Sequence, residues 1–150
     1  MSNKTAYLAG SMEYSDDAGL GWRLKAREVL APLGITCIIP NEEEDKFMVD
    51  QATYKALKTT DLSEYLRITR AYMRQDLEFT KDCAYFICNY EGERIHGTTG
   101  EAQYRWQNGK ESYLITKTKV EDIPGWFLAS FSHMFYSVEQ LADWLEKKED

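Results

Sequence analysis

Cys83-Ala-Tyr-Phe-Ile-Cys88, continued by Asn89-Tyr-Glu-Gly-Glu-Arg-Ile-His-Gly-Thr-Thr-Gly-Glu-Ala102, is an apolar run that enters a glycine-containing loop and leaves it as a helix-like segment. A short apolar run of this kind reads as a strand buried on both faces, and such strands belong to parallel sheets. Open α/β sheets bind their ligands where a strand gives way to the loop before a helix. The stretch therefore predicts an α/β fold and the place of its site. Within it, Glu101 follows Gly97-Thr98-Thr99-Gly100, so small residues lead up to a carboxylate and leave room for a flat or ring-shaped ligand beside the backbone. An ordinary turn followed by a first-turn helix carboxylate, favoured by the macrodipole, gives the same letters.

The flanking segments alternate strand and helix. Thr5-Ala-Tyr-Leu-Ala9 predicts a first strand ending at the turn residues Gly10-Ser11. Capping residues from Ser15 open a helix with Trp22, Ala26, Val29, Leu30 and Leu33 at helical spacing, and Gly34 stops it. Ile35-Thr-Cys-Ile-Ile39, closed by Pro40, predicts a second strand joined by a right-handed crossover. The acid-rich segment 41–60 reads as a solvated loop with a short helix near Gln51 to Leu57, or as a lid over the site. From Asp61 the stripe Leu62, Tyr65, Leu66, Thr69, Tyr72, Met73, Leu77 and Thr80 predicts a long helix with those residues inward. Asp76 falls on the same stripe, and a carboxylate on a buried face is costly unless satisfied or useful. Beyond Glu101, a helix is expected to Asn108-Gly109, a fourth strand at Ser112–Thr116 and a helical turn near Pro124. A short fifth strand near His133 to Tyr136 precedes a last helix started by Ser137 and Gln140. The predicted architecture is α/β, a three-layer sandwich with a Rossmann/flavodoxin-like parallel sheet of about five strands, formed by residues 1–150 as one domain.

Composition narrows the partners. With 18 basic and 25 acidic residues the net charge is −7, which disfavours a nucleic-acid backbone or an anionic membrane as partner and favours a small ligand. No window is apolar enough to span a bilayer and no signal-peptide pattern opens the chain, so a cytoplasmic protein is expected. Cys37, Cys83 and Cys88 lie in apolar runs and are expected to be buried thiols. No metal is expected, because neither His96 nor His133 has a partner at ligand spacing, and no cofactor is implied.

Three motifs, Tyr7-Leu-Ala-Gly-Ser-Met12, Asp76-Leu77 and Gly97-Thr-Thr-Gly-Glu101, fall in order on the first strand, the long helix and the segment after the third strand. Here the sequence resembles the nucleoside 2-deoxyribosyltransferase family and its relatives that hydrolyse deoxynucleoside monophosphates, over roughly residues 5–116. The resemblance implies that Glu101 attacks the anomeric carbon of a 2-deoxyribose, that the Tyr7 hydroxyl holds the carboxylate, and that Asp76 gives its proton to the departing base. It implies a nucleoside or nucleotide and a free nucleobase as partners. It also implies a homodimer or larger homo-oligomer, for which Tyr104 and Trp106 are the candidate contacts. Gly10, Ser11, Met12, Arg94, His96, Gly97 and Thr98 are the candidate substrate-binding residues. Burial is expected to raise the pKa of Asp76, and a helix N-terminus to favour Glu101 as the anion.

Two departures bear on the substrate. The second acidic residue that many transferases place shortly before the glutamate has no clear counterpart among Glu91, Glu93, Arg94 and His96. Glu13, Asp16 and Asp17 after Ser11 disfavour a phosphate, although Ser11, Arg94 and His96 together would suit an anion. The alternatives are a nucleoside 5′-monophosphate N-glycosidase and a non-catalytic nucleotide-binding or sensing domain of the same fold.

Overall fold

The computed structural model describes residues 4–11, 17, 19–40, 42 and 50–149. The expectations placed on Met12, on the helix start near Ser15 and on most of segment 41–49 lie outside the described residues. Five strands, β1 (Thr5–Gly10), β2 (Thr36–Ile38), β3 (Tyr85–Tyr90), β4 (Ser112–Thr116) and β5 (His133–Phe135), form one parallel sheet in the order β2-β1-β3-β4-β5. The helices are α1 (Leu20–Leu30), α2 (Gln51–Thr60), α3 (Leu62–Asp82), α4 (His96–Gln107), α5 (Gly125–Ala129) and α6 (Val138–Glu149).

Strand alternation sorts the apolar side chains onto two faces. Ala6, Leu8, Ile87, Tyr113 and Ile115 point to one face, where Ala26 and Leu30 of α1 meet Leu141 and Leu145 of α6. Tyr7, Ala9, Phe86, Cys88, Tyr90 and Leu114 point to the other, against Phe79 of α3, Ala102 of α4 and Phe127 of α5. Both faces are covered, giving the flavodoxin-like three-layer arrangement. Each fully buried leucine, such as Leu30, Leu141 or Leu145, contributes about 2 kcal/mol by leaving water. The helix α1 ends as read: a 3₁₀ turn at Ala31–Leu33 leads to Gly34 at φ 74°, a left-handed position suited to glycine.

Two expectations shift. Helix α2 is longer than read, because Asp50 caps it by accepting from the Thr53 backbone N–H at 2.9 Å and the helix continues to Thr60. It packs on α3 through Tyr54, stacked on Tyr65 at 4.9 Å and edge-on to Tyr72 at 5.5 Å. Along α3, Tyr72 and Thr80 are buried as read, but Leu62 and Met73 are exposed while Ile68, off the predicted stripe, is buried and Phe79 packs against the sheet. The reason is that α3 has two partners, α2 at its start and the sheet and α4 further on, and no single periodic stripe serves both. Cys37, Cys83 and Cys88 are buried free thiols, and burial pushes Cys37 up to about 11, which disfavours its thiolate.

Candidate active site

The order of the sheet reverses between β1 and β3, and the crevice at such a switch point is where this architecture places ligands. Tyr7 comes from β1, Asp76 from α3 and Glu101 from α4, and all three meet there. The Tyr7 ring is buried between Phe79 and Phe86, each stacked at 6.0 Å, so its position is fixed by packing. Asp76 and Thr80 stand one turn apart on α3, and Glu101 and Arg105 one turn apart on α4.

The buried Arg105 joins these two helices. Its Nη1 donates to the carbonyls of Thr80 at 3.0 Å and Cys83 at 2.7 Å, its Nη2 to Ala84 at 3.1 Å and its Nε to Glu111 at 3.0 Å. The end of α3 thus finds donors in the side chain of α4, satisfying helix-end carbonyls that would otherwise lack partners.

Helix α4 begins earlier than the sequence suggested. His96 is its first residue, with the Thr99 N–H and hydroxyl both bonded to the Ile95 carbonyl at 2.8 Å, so Gly97–Gly100 lie inside the helix and Glu101 is its sixth residue. A Cβ added at Gly97 or Gly100 meets nothing within 4 Å, so the outer side of this glycine-bearing turn is open. Because Glu101 sits beyond the first turn, the helix dipole does little for it. The expectation of a readily formed anion is reversed: burial first, and the neighbouring Asp76 second, push the Glu101 carboxyl up to about 8. The Tyr7 hydroxyl, Arg23 and Thr80 offset part of this rise. Glu101 Oε2 is fully enclosed without a hydrogen-bond partner among the described residues. Burial, Glu101 and Asp76 hold the Tyr7 phenol well above its usual range, so it remains a donor.

Sequence reasoning missed Arg23. It is fully buried on α1, where Nε donates to the Leu8 carbonyl at 2.9 Å, Nη1 to Gly19 at 2.9 Å and Nη2 to Gly10 at 3.0 Å. Its charge reaches the end of β1 from the opposite layer and favours the Glu101 anion. The signal was present in the spacing, since Arg23 precedes the buried Ala26 by three positions and Leu30 by seven. Gly19, at φ 72°, makes the approach possible: a Cβ there would lie 2.3 Å from Arg23 Nη1 and 2.4 Å from the Ser11 carbonyl.

The remaining candidates divide. Gly10 has φ 155°, and a Cβ there would stand 3.0 Å from the Asn89 carbonyl and 3.3 Å from the Trp22 ring. Ser11 is buried at the end of β1, its hydroxyl without a hydrogen-bond partner among the described residues. Thr98 is buried within α4, whereas Arg94, His96 and Gly97 are exposed, outside the enclosed cluster. Of the two aromatics suggested as a contact surface, Trp106 is exposed and Tyr104 is half-buried. Among the described residues no group of three or more His, Cys, Asp or Glu is placed to hold a metal ion. Chemically, the site offers two neighbouring carboxyl groups, a protonated phenol and a buried cation behind them.

No protein-family model matches the chain, and no curated protein sequence matches it either. Solved structures do. A 2-deoxyribosyltransferase from Bacillus psychrosaccharolyticus superposes with a TM-score of 0.69 at 20% identity, covering 93% of this chain and 90% of that one. A second, from Leishmania mexicana, gives 0.51 at 18% identity, covering 77% of this chain and 65% of that one. The chain therefore has the fold of solved 2-deoxyribosyltransferases, with Tyr7, Asp76 and Glu101 gathered at its switch point.

Proposed function

We propose that the protein is an enzyme that cleaves the N-glycosidic bond of a 2′-deoxynucleoside and passes the deoxyribose to another nucleobase or to water. The observation that carries the reading is the meeting of Asp76 and Glu101, with the Tyr7 hydroxyl beside them, in a fold shared with 2-deoxyribosyltransferases. A Glu101 oxygen attacks C1′ of the sugar, the C1′–N bond breaks, and its electron pair leaves with the base, which takes a proton from Asp76. In the second half a ring nitrogen of the incoming base, or a water, attacks C1′ and the glycosyl ester breaks. Glu101 is released as the carboxylate, and the nucleophile's proton returns to Asp76.

The raised pKa of Glu101 fits this scheme through the pair rather than through either group alone. Two carboxyl groups this close titrate together and hold a proton between them. That proton blocks the nucleophile when it resides on Glu101 and supplies the acid when it resides on Asp76. Tyr7 and Arg23 both favour the anion on Glu101, and so favour the productive placement.

A nucleoside 5′-monophosphate N-glycosidase is the second reading, favoured by the buried Ser11 hydroxyl at the end of β1, which has no partner among the described residues. A neighbouring copy closing the site, with the exposed Trp106 at the contact, and a cytoplasmic location accompany either reading. No described helix is long and apolar enough to cross a membrane. The deciding experiment incubates the protein with each deoxynucleoside and its 5′-monophosphate, with and without a second base, and follows release and exchange by chromatography. Exchange that depends on the added base supports the transferase, and release from monophosphates alone supports the hydrolase. Absence of release from every compound, with ligand binding unchanged by Glu101→Ala, would leave a nucleotide-sensing domain in place of an enzyme.

A further inference from the structure

Thr80 behaves unlike other threonines of the described helices. Thr60, Thr69 and Thr99 each donate their hydroxyl to the carbonyl four residues back, at 2.9, 2.8 and 2.8 Å, the usual resort of a helical threonine. Thr80 is fully buried, and its Oγ1 makes no hydrogen bond of ordinary geometry among the described residues, yet it stands near enough to Glu101 to favour that carboxylate. Its backbone carbonyl accepts from Arg105, which fixes this turn of α3 against the face of α4 that carries Glu101. Its side-chain neighbour Glu101 carries the second such atom, Oε2, enclosed and without a hydrogen bond of ordinary geometry among the described residues. A buried hydroxyl and a buried carboxyl oxygen that face each other unpaired are destabilising where they stand. They become complementary only when the carboxyl loses its proton, because a carboxylate accepts at both oxygens and a hydroxyl donates.

We propose that Thr80 is a positioning residue for Glu101: its hydroxyl, close to the carboxyl but outside ordinary hydrogen-bond geometry while that group holds its proton, donates to the carboxylate formed when the proton leaves. The inference rests on the reading of Glu101 as the group that must ionise to act. Tyr7 from β1, Asp76 from α3, Arg23 from α1 and Cys88 from β3 also face Glu101. Among them Asp76 opposes the anion, while Tyr7, Arg23 and Thr80 itself support it, the last as a hydroxyl donor. The sugar-bearing substrate would then meet a carboxylate held from two sides, by Tyr7 and by Thr80, with one oxygen lobe left to attack C1′.

The test uses Thr80→Val, which keeps shape and removes the donor, and Thr80→Ser, which keeps the donor. The acid limb of the kcat/KM profile is expected to move up by about one to two pH units in Thr80→Val and to return in Thr80→Ser. A limb that does not move, or that moves equally in both variants, overturns the proposal. Urea unfolding supplies a reading independent of turnover. Thr80→Val should match or exceed the natural protein in stability at pH 6, where Glu101 is protonated, and fall below it at pH 10, where it is not. An offset that is the same at both pH values marks Thr80 as packing only and overturns the proposal. Should no nucleoside turn over, the glycosyl-transfer reading fails while the unfolding measurement still decides the role of Thr80.

Discussion

Replacing Glu101 by glutamine should make the protein more stable, by an amount that depends on pH in a defined way. The carboxyl titrates near 4.5 when unfolded and at about 8 when folded, pushed up by burial and by Asp76. A group whose folded pKa is raised contributes fully below its unfolded pKa, and that contribution is lost as pH rises towards the folded value. The separation of about 3.5 units, at 1.36 kcal/mol each, sets a ceiling between roughly 4 and 5 kcal/mol. Relative to its offset at pH 4, the Glu101→Gln variant should gain about 3 kcal/mol over the natural protein at pH 7, and approach the ceiling by pH 9. For a chain of this size the pH 7 gain corresponds to roughly 10 °C in melting temperature. The assay is urea unfolding of both proteins at pH 4, 7 and 9, in which titrations common to the two cancel. A constant offset across that range, or a natural protein that gains on the variant as pH rises, would refute the argument that Glu101 is a buried, reluctant anion.

Asp76→Asn removes the largest neighbouring charge that opposes the Glu101 anion, so the acid limb of kcat/KM should move to lower pH, while loss of the proton donor lowers kcat by roughly 10²- to 10⁴-fold; an upward shift of that limb would contradict the pairing. Tyr7→Phe should move the same limb upward, because the phenol favours the anion, and a pH–rate profile that superposes on the natural one rules that out. Gly10→Ala should cost roughly 1–3 kcal/mol, since φ is 155° and the new Cβ would stand 3.0 Å from the Asn89 carbonyl, and a melting temperature within about a degree of the natural protein would disprove the strain.

The parallel sheet was readable because its strands announce themselves. Thr5-Ala-Tyr-Leu-Ala9 and Cys83-Ala-Tyr-Phe-Ile-Cys88 are apolar on both faces, which only a sheet covered on both sides accommodates. Asp76 was legible for a related reason, as a carboxylate on the inward side of a long amphipathic helix. Glu101 was legible as a residue but not in its state. Whether Gly97–Gly100 precede a helix or belong to it turns on the Ile95 carbonyl receiving the Thr99 amide, a choice made by the burial of Ile95 against the sheet rather than by local propensity. Arg23 escaped because its partners are backbone carbonyls, which carry no letter in the sequence. Thr80 was placed on the packed stripe, but its unusual feature is a buried hydroxyl turned to Glu101 rather than to a carbonyl of its own helix, and no pattern of residue types encodes that.

The grip of Arg105 on the end of α3 decides how the molecule responds to its own repulsion. Two carboxylates brought together push apart, and two helices free to slide would answer by separating, at which point each group would ionise as it does in water. Here the guanidinium anchors α4 to the last turn of α3 beside Thr80 and to the chain beyond it. With displacement blocked, the repulsion is expressed as affinity for a proton. A scaffold bond thereby holds in place the share of the rise that Asp76 adds to the larger share due to burial, so a change at Arg105 should be read in the pH at which the protein works as well as in how fast.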